Sequence, residues 1–314
     1  MTFAIEVTYA SNGNFSLFFC EHICNHAPPS DILTPVDDIT RRLVKRALDE
    51  DIGSGDATSL ALVPASAMAH AAIVARERLT VAGLTSAEMC FSEVDNTVKL
   101  RRMAEDGEPL EARAIILLLE GPAQSILTSE RTALNFLQRL SGIATITARY
   151  KEAIEGTGAQ LLDTRKTTPG WRALEKHAVA CGGGKNHRMG LYDMVLIKDN
   201  HLAALHNEAN PIATAVTRTR KACPGLKIEV EADTLEQAEQ AAAARADIIL
   251  LDNMAPEKLR EAVQLVDGRS KLEASGSITL TNIRAVAETG VDFISVGALT
   301  HSFPAADIAL DFKE

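Results

Sequence analysis

A chain of 314 residues, 46% hydrophobic and 24% charged, can bury a large core in one domain or two, and no apolar run approaches membrane-spanning length. Its formal net charge of -10 excludes a general nucleic-acid binder, which must present a basic surface to phosphates. Cations that converge locally in so acidic a chain are therefore informative.

The first residues lack the basic start and continuous apolar run of a secretory signal. The cysteines, Cys20, Cys24, Cys90, Cys181 and Cys223, are odd in number. Both features predict a cytoplasmic protein without a disulfide framework. Residues 1–30, ending near Pro28-Pro29, read as a poorly ordered extension. Within it Cys20, His22, Cys24 and His26 alternate at spacings that could ligate zinc, but the run is too compact to wrap a tetrahedron.

Residues 31–143 have a mixed rhythm and read as an α/β sandwich domain. An amphipathic helix is predicted over Asp37–Glu50, with Ile39, Leu43, Val44, Ala47 and Leu48 on one face. Strands are predicted at His70–Ala75, Asn96–Leu100 and Ala114–Leu119, punctuated by Gly107, Gly121 and Pro122. A helix is predicted over Thr128–Tyr150, burying Leu134, Leu137, Leu140 and Ile143.

Residues 144–300 change period. Short apolar runs recur at Gln160–Asp163, Met194–Lys198, Lys227–Glu231, Ile248–Asp252, Lys271–Ser275 and Phe293–Gly297, separated by helical stretches such as Leu235–Arg245 and Pro256–Val266. This is the spacing of βα units. It predicts an α/β barrel, complete or nearly so, with an open doubly wound sheet as the alternative. Residues 301–314 are expected to return to the N-terminal domain.

The carboxyl ends of these strands carry Asp163 with Arg165 and Lys166; Lys198 with Asp199; Glu229 and Glu231; Asp252 with Asn253; Ser275-Gly276-Ser277; and Gly297. In a barrel these ends converge on the face that bears the active site. Small residues at the last two ends let backbone N–H groups approach a phosphate. The run Cys181-Gly-Gly-Gly-Lys185-Asn-His187-Arg188 resembles a P-loop only superficially, because no Ser or Thr follows Lys185. Arg165, Lys166, Arg188 and Lys198 suit a polyanion. Glu231 and Asp252 make sense among them if a divalent metal or sugar hydroxyls intervene. Together the groups point to a phosphorylated sugar, such as a diphosphate. Cys181 is expected to be a small buried thiol rather than a nucleophile.

The stretches DTRKTTPG, GGGKNHRMGLYDMVLIKDNH, IEVEADTLEQ, IILLDN, EASGSI, GVDFISVGALTHS and, upstream, GPAQSILTSERTALNFLQRLSGIAT together resemble the quinolinate phosphoribosyltransferase family, from about Val36 to the C-terminus. The resemblance implies an N-terminal α/β sandwich on an incomplete, seven-stranded type of α/β barrel. It implies transfer of phosphoribose from phosphoribosyl pyrophosphate (PRPP) to quinolinate with decarboxylation, giving nicotinate mononucleotide, pyrophosphate and CO2 in de novo NAD synthesis. It further implies Mg2+, and a homodimer or hexamer in which Arg131 reaches the neighbour's site.

By motif, Arg165, His187, Arg188 and Lys198 would hold the quinolinate carboxylates, with Thr164 beside them. Lys166 and Lys198 would lie near the pyrophosphate. Glu231 and Asp252 would face the ribose hydroxyls and Mg2+. Ser275, Gly276, Ser277, Gly297 and Ala298 would cradle the 5′-phosphate. Lys166, Lys198, Glu231 and Asp252 are thus the catalytic candidates. Thr168 stands where the family commonly has an apolar residue, Ser277 where it has Gly or Asn, and residues 1–30 have no counterpart. Alternatives are a paralogue of this fold with another substrate, such as the protein found with molybdate transport; a Schiff-base aldolase using Lys198; and a phosphosugar-binding regulator.

Overall fold

A computed structural model of the chain describes residues 36–313. The expected extension and its Cys20, His22, Cys24 and His26 run lie outside the described residues. The first helix, α1 (Val36–Ile52), buries Val44 and Leu48 along the predicted stripe. Asp56 then caps α2 (Ala57–Leu62), its carboxylate accepting from the backbone N–H groups of Thr58 and Ser59, which satisfies two donors that a helix start leaves open.

The N-terminal sheet is antiparallel, in the order β12 (Ile308–Lys313), β1 (Met68–Ala75), β5 (Ile115–Pro122), β3 (Lys99–Arg102). A separate pair joins β2 (Leu79–Thr80) to β4 (Pro109–Leu110). The strand predicted to begin at Asn96 begins three residues later. Asn96 and Thr97 are drawn into a turn by Asp95, whose Oδ1 accepts from the Thr97 N–H at 2.9 Å, and a side chain that bonds its own turn competes with the ladder. Helix α3 (Leu84–Val94) and the long α4 (Ala123–Ala153) cover the sheet. No loop precedes α4, because β5 runs through Pro122 and the helix starts on the next residue.

Six parallel strands build the second sheet: β6 (Gln160–Leu162), β7 (Val195–Ile197), β8 (Ile228–Ala232), β9 (Ile248–Asp252), β10 (Lys271–Ser275) and β11 (Phe293–Ser295), hydrogen-bonded in the order 6-11-10-9-8-7. The first strand thus pairs with the last. A doubly wound sheet reverses its winding direction midway, and this one never does. The sheet therefore curls into an incomplete barrel, open between β6 and β7. On the β6 side of the gap a single parallel bridge, Leu162 to Lys185, stands where a seventh strand would lie.

Helix α5 (Arg172–Cys181) follows β6; the outer layer continues with α6 (Asp199–Ala203), α7 (Pro211–Ala222), α8 (Leu235–Ala243), α9 (Pro256–Val266), α10 (Ile283–Ala287) and α11 (Ala298–His301). After α11 the chain crosses α4 at Gly142, where a Cβ would lie 2.2 Å from the Pro304 carbonyl oxygen. Gln138 fastens the crossing, its carbonyl accepting from Ala306 N–H at 2.9 Å and its amide donating to the Ile308 carbonyl at 2.7 Å. The chain then enters β12, which pairs antiparallel with β1. The expected junction between residues 143 and 144 falls inside α4, which contacts both domains: Thr145 Oγ1 accepts from the Thr80 N–H at 2.9 Å, and Phe136 stacks on Trp171. Among the described residues, no helix is long and apolar enough to cross a membrane.

Candidate active site

Side chains two apart on a strand share a face. Glu229 and Glu231 on β8, Leu250 and Asp252 on β9, and Glu273 and Ser275 on β10 all point into the barrel, and Glu231↔Leu250↔Glu273 are in register. Glu229 and Glu273 are buried one step below the mouth, whereas Glu231, Asp252 and Ser275 are half-buried at the mouth itself.

The loop that carries His187 and Arg188 is anchored from beneath. Asp163 and Lys176 are 0% and 1% exposed and meet at 2.5 Å. Lys176 Nζ also donates to the His187 carbonyl at 2.9 Å, and Asp163 Oδ1 accepts from the His187 N–H at 2.8 Å. Asn186, with its amide turned to suit its neighbours, donates to Asp163 Oδ2 at 2.8 Å and to the Lys176 carbonyl at 3.0 Å. Burial pushes Asp163 up and Lys176 down, and their mutual attraction opposes both shifts. The glycines before this loop serve close packing: a Cβ on Gly182 would lie 2.4 Å from the Ala144 carbonyl oxygen. The GGGK run is a tight turn rather than a phosphate loop.

Above this anchor lies a cavity of about 670 Å³ at the carboxyl ends of the strands, lined by Thr164, Arg165, Lys166, His187, Arg188, Leu196, Lys198, Glu231, Leu250, Asp252, Asn253, Glu273, Ser275, Gly276, Ser277 and Ser295. Arg165 Nε is buried there without a partner. Arg188 donates to the Met194 carbonyl at 3.1 Å; burial first, and then the positive charge of Arg165, push its guanidinium below the ordinary value. Two guanidiniums lining one cavity, one of them with an idle buried donor, suit an anion. Across the cavity Lys198 Nζ meets Glu231 Oε2 at 2.6 Å. Lys166 is held at its carbonyl, which accepts from Thr300 Oγ1 at 2.9 Å.

The 275–277 turn uses consecutive left-handed residues, Gly276 at φ +92° and Ser277 at φ +53°. Gly276 is required twice, since a Cβ would also lie 2.2 Å from Asn253 Oδ1. Such a turn offers successive N–H groups to an oxyanion.

With this geometry in place, the similarities of the chain are specific. Residues 56–141 match the model of the quinolinate phosphoribosyl transferase N-terminal domain, and residues 143–311 that of the C-terminal domain of the same family. The chain belongs to the quinolinate phosphoribosyltransferase family. Within this family it is 43% identical over 280 residues to a nicotinate-nucleotide pyrophosphorylase (carboxylating) of Mycobacterium leprae, covering 87% of this chain and 97% of that protein. It is also 43% identical over 272 residues to a probable member from Bacillus subtilis, covering 86% and 92%. The solved structure of the nicotinate-nucleotide pyrophosphorylase from Francisella tularensis superposes with a TM-score of 0.83 at 42% identity, covering 88% of this chain and 97% of that one.

For this member of the phosphoribosyltransferase family, the cavity gathers eleven of the residues singled out from the sequence: Thr164, Arg165, Lys166, His187, Arg188, Lys198, Glu231, Asp252, Ser275, Gly276 and Ser277. Gly297 and Ala298 stand just outside its lining, where a Cβ on Gly297 would lie 3.1 Å from Lys166 Cδ. Arg131 is exposed on α4 and does not line the cavity of its own chain.

Sequence reasoning gave no site role to Arg139, Glu229 or Glu273. Arg139 on α4 lies over the rings of Trp171 and Phe303 and donates to Glu175 at 2.7 Å and to Thr168 Oγ1. Thr168 is thus a working hydrogen-bond acceptor in a polar network. Glu229 and Glu273 flank His187, whose Nε2 lies 2.9 Å from Glu229 Oε2 and 3.6 Å from Glu273 Oε2. Their shared face with Glu231 and Ser275 was the available signal. The buried-thiol expectation for Cys181 is overturned: it is half-buried at the end of α5, 3.5 Å from His177 Nε2.

Burial pushes Glu229 up to about 7 and Glu273 up to about 8, the latter raised further by the Glu229 charge. Glu229 Oε1 and both Glu273 oxygens are buried without partners, so the pair retains protons that the unfolded chain releases from an ordinary value of 4.5. The folded state then binds more protons between these limits, and stability falls as pH rises through them. Glu273→Gln is expected to flatten this fall, read as the change in denaturant midpoint between about pH 5 and 8.5. An unchanged slope would contradict the assignment.

Proposed function

We propose that the barrel-mouth cavity is where this chain transfers phosphoribose from PRPP to quinolinate, with loss of CO2. As a member of this family the chain is a nicotinate-nucleotide pyrophosphorylase (carboxylating) of de novo NAD synthesis. The observation that carries the residue-level reading is one cavity lined both by Arg165 and Arg188, the former with a buried Nε lacking a partner, and by the left-handed small-residue turn at Gly276 and Ser277. The guanidiniums suit the two carboxylates of quinolinate and the turn the 5′-phosphate, which sets the ring nitrogen against the ribose carbon between them.

In this reading catalysis is placement and charge stabilisation. Departure of pyrophosphate leaves an oxocarbenium-like carbon and growing negative charge on the leaving group. Lys166 and Lys198 stand to stabilise that charge, and Glu231 orients Lys198 through their 2.6 Å contact. The ring nitrogen becomes cationic once ribosylated, and its charge stabilises the electron pair left on the adjacent ring carbon when that carbon's carboxylate leaves as CO2; uptake of one proton from solvent at the same carbon completes the product. No protein nucleophile is needed.

Glu231 and Asp252 offer the oxygen donors of a hard cation, and among the described residues no further His, Cys or acidic ligand atom converges on them. That donor set fits Mg2+ held chiefly by a diphosphate, with one or two carboxylates completing its shell. When bound it would neutralise charge on the leaving group. The odd cysteine count supports assigning the reaction to the cytoplasm.

We assign Arg131 to the site of a neighbouring copy, in a homodimer or hexamer. Its exposure on α4 supports this, as do Leu60, Leu62 and Met68 of the N-terminal domain, 65%, 75% and 66% exposed, an apolar surface of the kind an interface covers. Arg131→Ala and Lys198→Ala chains are each expected to release almost no CO2 from quinolinate and PRPP. Mixed and allowed to exchange, they should regain partial activity from hybrid sites that lack neither residue. Exchange demonstrated without recovery would refute the shared site, and an unmutated chain that releases no CO2 would refute the reaction.

A further inference from the structure

We propose that Asp106, His177 and Cys181 form a binding site for a thiophilic divalent cation of the zinc class, at the seam between the N-terminal domain and the barrel. None of the three lines the cavity described above. Asp106 lies in the turn between β3 and β4; His177 and Cys181 sit one helical turn apart on α5, and so share a face.

The geometry separates this cluster from two simpler readings. His177 Nε2 lies 2.9 Å from Asp106 Oδ2 and 3.5 Å from Cys181 Sγ. A Cys-His-Asp relay uses the two ring nitrogens separately, one toward the thiol and one toward the carboxylate. Here one nitrogen faces both partners, so there is no relay. A plain ion pair uses Asp106 and His177 alone and gives no role to the sulfur that the helix sets 3.5 Å from the same nitrogen. Three ligand atoms, all within 4.8 Å of one another, converge instead on a common point.

The distances suit a tetrahedral ion. Zinc bonds of about 2.0–2.3 Å place neighbouring ligand atoms roughly 3.3–3.6 Å apart. The nitrogen and sulfur already stand at 3.5 Å, and the carboxylate oxygen, 2.9 Å from that nitrogen, need move off it by only a few tenths of an ångström. Asp106 is oriented from behind, since its Oδ1 accepts from the Leu84 N–H at 3.1 Å; such outer contacts aim metal ligands. Thiolate with imidazole selects zinc-like ions over Mg2+. His177 is exposed and its two partners half-buried, which leaves a fourth position to water and makes binding reversible.

A cation here would tie the turn at Asp106-Gly107 to the end of α5. The two already approach closely: Gly107 adopts φ +91°, and a Cβ there would lie 3.3 Å from the Cys181 carbonyl oxygen. The chain runs from Cys181 through Gly182–Gly184 directly to His187 and Arg188, so the tie fastens the base of that loop.

Cobalt(II) titration of the chelator-treated full chain tests the proposal, with Cys20→Ser and Cys24→Ser introduced so that the N-terminal run contributes no thiolate. One equivalent of cobalt is expected to produce a thiolate-to-cobalt charge-transfer band that one equivalent of zinc abolishes and excess Mg2+ leaves. Cys181→Ser should remove the band, and His177→Gln should weaken zinc binding at least tenfold, while Cys223→Ser leaves both intact. The absence of a band at stoichiometric cobalt, or its persistence in Cys181→Ser, would overturn the assignment.

Discussion

Replacing Lys176 by Met is expected to cost about 3–5 kcal/mol, because it strands a carboxylate in the interior. Asp163 has no exposed surface, and its remaining donors, the His187 N–H and the Asn186 amide, are neutral. The His187 carbonyl loses its ammonium donor at the same stroke. Against a typical total of 5–15 kcal/mol this is a large share. The same change should lower kcat/KM in the protein that still folds, since the loop bearing His187 and Arg188 loses its anchor. Denaturant midpoints of Lys176→Met, Asp163→Leu and the double variant make the test. The double variant should recover part of the stability, because the lone buried charge is gone, yet none of the activity. A loss below about 1 kcal/mol in Lys176→Met would show that the pair is not an anchor.

Lys198→Ala has the opposite signature. Its ion pair with Glu231 lies at the cavity mouth, with the lysine side chain 45% exposed, and exposed pairs contribute roughly 0–1 kcal/mol. The fold should survive, with an unchanged circular dichroism spectrum and a near-native midpoint. Activity should fall by at least about 10²-fold, the scale of losing one donor aimed at transition-state charge. Lys198→Arg should restore little, since a planar fork does not replace a compact ammonium held at one point by Glu231. Substantial activity in Lys198→Ala would remove Lys198 from the mechanism.

The barrel strands were legible because strands buried on both faces read as unbroken apolar runs, and Ile248–Leu251 or Val195–Ile197 can hardly be anything else. Their polar ends were legible because six of them recur at the same strand terminus. What escaped depended on closure. Glu229 and Glu273 look like surface acids until the sheet curls, since acidic side chains are rarely fully buried. Lys185 bridges β6 through two backbone hydrogen bonds that leave no trace in composition. Arg139 acquires its place only when Trp171 and Phe303, far apart in the chain, meet over it. Asp106, His177 and Cys181 come from two domains, and no spacing in the sequence joins the first to the other two.

The account stands on the converging guanidiniums being a receptor for two carboxylates rather than one, and substrate choice tests that most directly. Formation of nicotinate mononucleotide from PRPP and Mg2+ should proceed with quinolinate at a kcat/KM orders of magnitude above that with nicotinate, which lacks the second carboxylate. Equal or better turnover of nicotinate would contradict it.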